Sequence, residues 1–317
     1  MSGLVNFMPR RLLGGFLERS CRFGGYAGLA LAILTLTGCL SPVKHTRKVT
    51  LPSGTPAVAL HATLPELVAR LDTQSEKIQT LTATVDLQPT AGSVYSGVIK
   101  EYHDVRGFIL IKKPSMIRIL GQAPIVHTSI FDMVSDGQEF RLSIPPKQKF
   151  IVGKNNLRRV SSNELENIRP QHIFDALIIP PFQEQGHKLE FEEYEENGHR
   201  YYVVTVLTET ESNELVPVRK IWFDRADLNV ARLQIYGPGG IYLEDVKYSA
   251  YRDFAGVTYP TDIRLTRLAE DYAFGIVVEK AVFNQPIGPE KFELKQPAGA
   301  QLVELSDAAP PEGTHGK

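Results

Sequence analysis

Cysteine is almost missing from this chain: 317 residues hold only Cys21 and Cys39. A disulfide framework is therefore excluded, and with it the small stapled folds that depend on one. Long apolar runs are missing too. The apolar run Ala27–Thr37 is eleven residues, whereas a helix needs about 20 to cross the hydrocarbon layer. Excess charge is absent: 35 basic side chains stand against 36 acidic ones. That excludes the strongly basic surface that nucleic acid requires, so no nucleic-acid partner is expected. There is no Gly-x-Ser-x-Gly elbow, P-loop or His-Glu-x-x-His motif. The eight histidines are scattered without ligand spacing. "DRADLN" (Asp224 to Asn229) lacks the central glycine and terminal glutamate of a calcium loop and reads as a hairpin turn. No catalytic residue, metal site or cofactor is expected.

What is present begins at the N-terminus. Arg10, Arg11, Arg19 and Arg22 precede "LALAILTLTGCLSP" (Leu29 to Pro42), the positive flank and apolar run of a secretory signal. "Leu36-Thr37-Gly38-Cys39" resembles a bacterial lipobox, in which the cysteine receives diacylglycerol and then an N-acyl chain such as palmitate. The resemblance implies that residues 1–38 are cleaved and that Cys39 is the lipidated N-terminus. The mature chain of 279 residues would carry 31 basic and 35 acidic side chains, a net charge near −4. Residues 39–62 are polar and proline-bearing and read as a flexible tether, with a reach of roughly 25 Å.

"TLPELVARLDTQSEKIQTLTATV" reads as the first helix, with a capping box at Thr63 and Glu66 and one stripe formed by Leu64, Leu67, Val68, Leu71, Ile78 and Leu81. The pattern then changes to period two. "TATVDLQ", "SGVIKEYH", "RGFILIKKP", "MIRILGQ", "IVHTSIFDMVSDG", "EFRLSIP" and "QKFIVG" are strand-like runs separated by turn signals. "SSNELENIRPQHIFDALIIPPF" interrupts them as a helical segment, capped by Ser161 or Ser162, kinked or restarted at Pro170 and stopped by Pro180-Pro181. Strands resume with a hairpin at Asn197-Gly198 and continue through "YAFGIVVEKAVFNQ". The acidic run Glu190 to Glu196 reads as a solvated strand face. The expected domain covers 63–305, and the Pro/Gly-rich residues 306–317 read as a disordered tail. The fold class is mainly β (α+β), with a curved antiparallel sheet and two amphipathic helices plugging its concave side.

"RGFILIKKPSMIRILGQ", "DMVSDGQEFRLSIP" and "FNQPIGPEKFEL" resemble the LolA/LolB superfamily of bacterial lipoprotein carriers and receptors. The matching marks are Gly107, Pro114, Arg118, the Ser135-Asp136-Gly137 turn, Pro289 and Phe292. The resemblance implies an open antiparallel half-barrel whose hollow accepts acyl chains. Because the receptor-type member is itself an outer-membrane lipoprotein, and Leu40 follows Cys39, it also implies anchoring at the periplasmic face of the outer membrane. The arginine latch of carriers corresponds to Lys113, a looser point donor. Period-two arithmetic puts Ile109, Ile111 and Lys113 on one face, and Ile117 and Ile119 together on the next strand. These isoleucines are the candidate groove lining, although core packing against the helices would use the same residues. The expected partners are membrane lipid and a lipoprotein or phospholipid cargo. The alternative is a partner-binding module similar to the MucB/RseB sensors, bound to a periplasmic protein.

Overall fold

A computed structural model of the chain describes residues 59–92, 100–101, 105–123, 127–157, 167–182 and 186–307. The signal-like segment, Cys39, tether residues 39–58, Ser161, Ser162 and residues 308–317 lie outside them.

The first helix, α1 (Leu64–Glu76), starts where the capping box places it. The backbone N–H and hydroxyl of Thr63 donate to Glu66 Oε2 at 2.7 and 2.8 Å, holding the chain in its entry turn. The helix stops sooner than its apolar stripe suggests, with Lys77 as C-cap. From Thr80 the buried positions are Leu81, Ala83, Val85 and Leu87, alternating with more exposed residues. That is the pleat of a strand, so Leu81 belongs to β1 (Thr80–Ala91) and not to the helix.

Six short strands follow in meander order: β2 (Lys100–Glu101), β3 (Val105–Lys112), β4 (Met116–Gln122), β5 (Ser129–Ser135), β6 (Glu139–Ile144) and β7 (Lys149–Lys154). The second helix, α2 (Pro170–Leu177), begins on its proline, where a missing N–H costs nothing. Seven longer strands come next: β8 (His187–Glu196), β9 (His199–Glu209), β10 (Leu215–Asp224), β11 (Val230–Tyr236), β12 (Tyr242–Phe254), β13 (Val257–Arg267) and β14 (Tyr272–Phe283). The tip of the β8–β9 hairpin is Asn197-Gly198, both left-handed (φ 52° and 80°), as a tight primed turn requires. A last strand, β15 (Gln301–Glu304), has no counterpart in the sequence reading and pairs parallel to β7.

All strands belong to one sheet in the order β15-β7-β6-β5-β4-β3-β1-β14-β13-β12-β11-β10-β9-β8, with β2 paired to β1 off this path. Apart from β15–β7, neighbours are antiparallel, and the two ends of the order do not meet. β1 therefore joins a first half, β3 to β7, to a second half, β14 to β8. α2 packs on β4 and β5 from one half and on β13 from the other. A helix that touches both must lie in the hollow of a curved, open sheet. The architecture is the open antiparallel half-barrel with helices over its concave face. Leu67 and Leu71 of α1, and Ile173, Phe174 and Leu177 of α2, join the strands in one core.

α1 lies along one end of this hollow. Arg70 donates to the carbonyl of Asp227 and to Asn229 Oδ1 (3.1 and 3.0 Å), and Gln74 donates to the carbonyl of Thr258 at 2.8 Å. Ala59 and Leu60, ahead of the helix, are also joined to the domain. The Leu60 N–H donates to the carbonyl of Arg225 at 2.7 Å, Arg225 Nε donates back to the Leu60 carbonyl, and Ala59 is buried.

Candidate binding hollow

Ile109 pairs with Ile119 and Ile111 with Ile117 across β3 and β4. All four face the core with no exposed surface. The structure thus brings the four sequence-selected isoleucines together beneath the helices, in a filled part of the hollow. Gly107 is needed there because a Cβ would lie 2.6 Å from the Leu87 side chain. Lys113 sits at the end of this sheet segment, and its Nζ donates to the Ser75 carbonyl and, at 3.3 Å, to Ser75 Oγ. It therefore ties the sheet to the last turn of α1, and burial lowers its pKa against the opposing pull of Glu76. Arg118 grips Asp132 with two hydrogen bonds and donates to the Lys291 carbonyl at 2.9 Å, locking β4 to the Pro289–Phe292 turn. The residues that carry the family resemblance here are architectural.

Open space lies on the other half. A cavity of about 260 Å³ is lined by Val206, Val218, Leu233, Ile235, Pro180 and Pro181, with Asp175, His187 and Arg219 at its polar margin. Its cover is the strap that follows α2. Arg219, only 8% exposed, donates to the carbonyls of Pro180 (2.7 Å) and Pro181 (2.6 Å), and its guanidinium stands over the Phe182 ring at 5.1 Å. Asp72 of α1 accepts the Phe182 N–H at 2.7 Å. Burial lowers the Arg219 pKa to about 10, with Asp72 pulling the other way, so the side chain stays cationic at neutral pH. Two tyrosines hold the end of α2 in the same manner: Tyr248 donates to the Ala176 carbonyl at 2.8 Å and Tyr259 to the Leu177 carbonyl at 2.9 Å. The two tyrosines satisfy helix-end carbonyls that have no intrahelical partner, and Arg219 satisfies two carbonyls of the strap.

Between the helices the hollow narrows to about 30 Å³ among Leu71, Ile78, Leu177, Tyr248 and Tyr259, room for a water or two. The sequence reading missed Arg219 and its strap. The signal was available: in "VRKIWF" the period of two puts Arg219 on the same inward face as Ile221 and Phe223.

A second polar group lies under α2. Arg267 donates to Glu244 Oε2 at 3.3 Å and also grips Glu270. His172 Nδ1 is 2.8 Å from the Tyr272 hydroxyl, and Gln171 donates to Asp175 Oδ1 at 3.0 Å. Burial pushes the Glu244 carboxyl up to about 8 and Asp175 to about 6, and holds His172 well below the ordinary imidazole value. Among the described residues, no group of three or more His, Cys, Asp or Glu side chains could hold a metal ion.

No protein-family model matches the chain. No curated protein matches it either. Solved structures similar to it include a domain from Vibrio parahaemolyticus described as outer membrane lipoprotein-sorting, with 12% identity, 72% of this chain and 94% of that one covered and a TM-score of 0.45. A LolA superfamily protein from Nitrosomonas europaea is 11% identical, with 72% and 97% covered and a TM-score of 0.44. A DUF1329 family protein from Desulfovibrio piger is 12% identical, with 72% and 94% covered and a TM-score of 0.45. The chain's own topology is an open antiparallel sheet with two helices in its hollow.

Proposed function

We propose that this chain is a lipid-anchored outer-membrane lipoprotein that binds acyl chains of lipids or lipoproteins in its hollow and carries out no covalent chemistry on them. The observation that carries this reading is the apolar cavity under a strap latched by Arg219. At about 260 Å³ it is slightly smaller than the roughly 300–1,000 Å³ of common ligand sites, a size for part of one chain and not for a whole phospholipid. Each methylene buried there contributes about 0.8 kcal/mol, so a few carbons suffice for reversible holding. Movement of the strap would extend the cavity. Release then requires only a more apolar acceptor, such as a bilayer. The anchor assignment rests on the lipobox at Leu36–Cys39 and on Leu40 after it, residues outside those described.

Native mass spectrometry of the mature chain carrying Cys39→Ser, incubated with a diacylated lipopeptide, tests the reading. A lipid adduct that is lost in Val218→Trp, which fills the cavity, is the expected result. An apo mass unchanged by lipopeptide would overturn it and move the assignment to a protein-binding module.

A further inference from the structure

A second and larger cavity, about 460 Å³, runs along α1. Arg70, Thr73 and Lys77 line one wall, and Gly256 to Thr258, from the β12–β13 turn and the start of β13, line the other. Seven helical residues cover about 10 Å and fall within about 20° of two full turns, so Arg70 and Lys77 stand on one face with Thr73 between them. Among the described residues neither cation forms an ion pair. Arg70 uses a single nitrogen: its Nη2 donates to the Asp227 carbonyl and to Asn229 Oδ1, and Nε and Nη1 keep their hydrogens for another acceptor. The contacts of Lys77 run through its backbone, from its N–H to the Thr73 carbonyl and from Asn284 to its carbonyl. The carboxylates around the groove are held locally and reach neither cation. Glu66, which also lines it, accepts from Thr63; Asp227 accepts from the N–H and Nδ2 of Asn229 at 2.8 Å each; Asp253 Oδ1 accepts the Gly256 N–H at 3.0 Å. The lining thus carries two cations against one carboxylate, on a chain whose net charge is −1.

We propose that this groove binds a phosphate group, with Arg70 and Lys77 converging on its oxygens and the Thr73 hydroxyl donating between them. A guanidinium fork matches a pair of phosphate oxygens, and an ammonium adds a point charge from a second direction. A volume of about 460 Å³ lies within the roughly 300–1,000 Å³ of ligand sites, and charged walls suit a charged group.

Two sources carry this chemistry, a phospholipid headgroup and a free phosphate ester. Gln74 bears on the choice. It donates to the Thr258 carbonyl at 2.8 Å, and it lines both the groove and the narrow space beside Leu71 and Tyr259. A phosphate seated on Arg70 and Lys77 is therefore one side chain away from the apolar interior, the arrangement an amphiphile needs. The headgroup source rests on the acyl-chain reading; phosphate binding itself does not.

Titration calorimetry of the mature chain carrying Cys39→Ser reads this with two probes, glycerol 3-phosphate and dihexanoyl phosphatidylglycerol below its micelle concentration. Saturable binding is expected, weakened about tenfold or more in Arg70→Gln and in Lys77→Gln. Lys77→Gln removes no contact of the fold and serves if Arg70→Gln does not fold. Lys295→Gln, at an exposed lysine that does not line the groove, is expected to bind as the wild type does. Similar affinity for both probes assigns the site to a free phosphate ester, and a lipid bound at least about tenfold more tightly assigns it to a headgroup. Absence of binding by either probe, binding unchanged in Lys77→Gln, or equal weakening in Lys295→Gln would overturn the site. Because glycerol 3-phosphate has no acyl chain, the site can fail while lipopeptide binding succeeds, and the reverse.

Discussion

The two halves of the sheet treat their inner faces differently. On β3 and β4 the inward positions are isoleucines with no exposed surface, closed over by the helices. On β9 to β13 the inward face mixes valine and leucine with Arg219, Glu244, Arg267, Tyr248 and Tyr259, and it leaves a cavity of about 260 Å³. Close-packed aliphatic surface gives stability and little room to move. Long polar side chains reaching across to carbonyls of α2 and its strap give contacts that can be broken singly. The first half is thus a filled foundation, and the second is the half that keeps open space.

Substitution separates the two most sharply. Ile119→Ala, in the filled half, is expected to cost about 2–5 kcal/mol in urea unfolding, through lost transfer energy and a cavity that cannot collapse. Val218→Ala, which widens existing space, is expected to cost under about 1 kcal/mol. Equal losses would erase the distinction. Next in size is Arg219→Ala, which strips two carbonyls of a charged donor and is expected to cost about 2–3 kcal/mol. Its specific signature is faster hydrogen exchange at the Phe182 amide, which donates to Asp72, while β3 and β4 stay protected. Loss spread evenly over the sheet would make Arg219 ordinary packing.

Much of the foundation was legible in the sequence, because its information is local. The capping box at Thr63, the period-two runs of β3 and β4 and the Asn197-Gly198 tip each act within a few residues. The end of α1 was harder: Ile78 and Leu81 continue the apolar stripe, yet the threonines from Thr80 favour a strand, and pairing to Phe283 and Ile111 wins. β15 was invisible because four residues joined in parallel to a strand about 150 positions earlier leave no local trace. The second half was missed for the same reason. Arg219 meets carbonyls 38 and 39 positions away, and Arg267 meets Glu244 23 positions away. Parity alone could have flagged them, since a charge at an inward position of a strand must find a partner.

The most direct test of the account uses a lipopeptide whose acyl chain carries a photoactivatable diazirine, cross-linked to the mature chain and mapped by mass spectrometry. The account predicts label on peptides containing Val206, Val218, Leu233 and Ile235, with little on Ile109 to Ile119. Label confined to the β3–β4 isoleucines, or scattered over the outer surface, would contradict it.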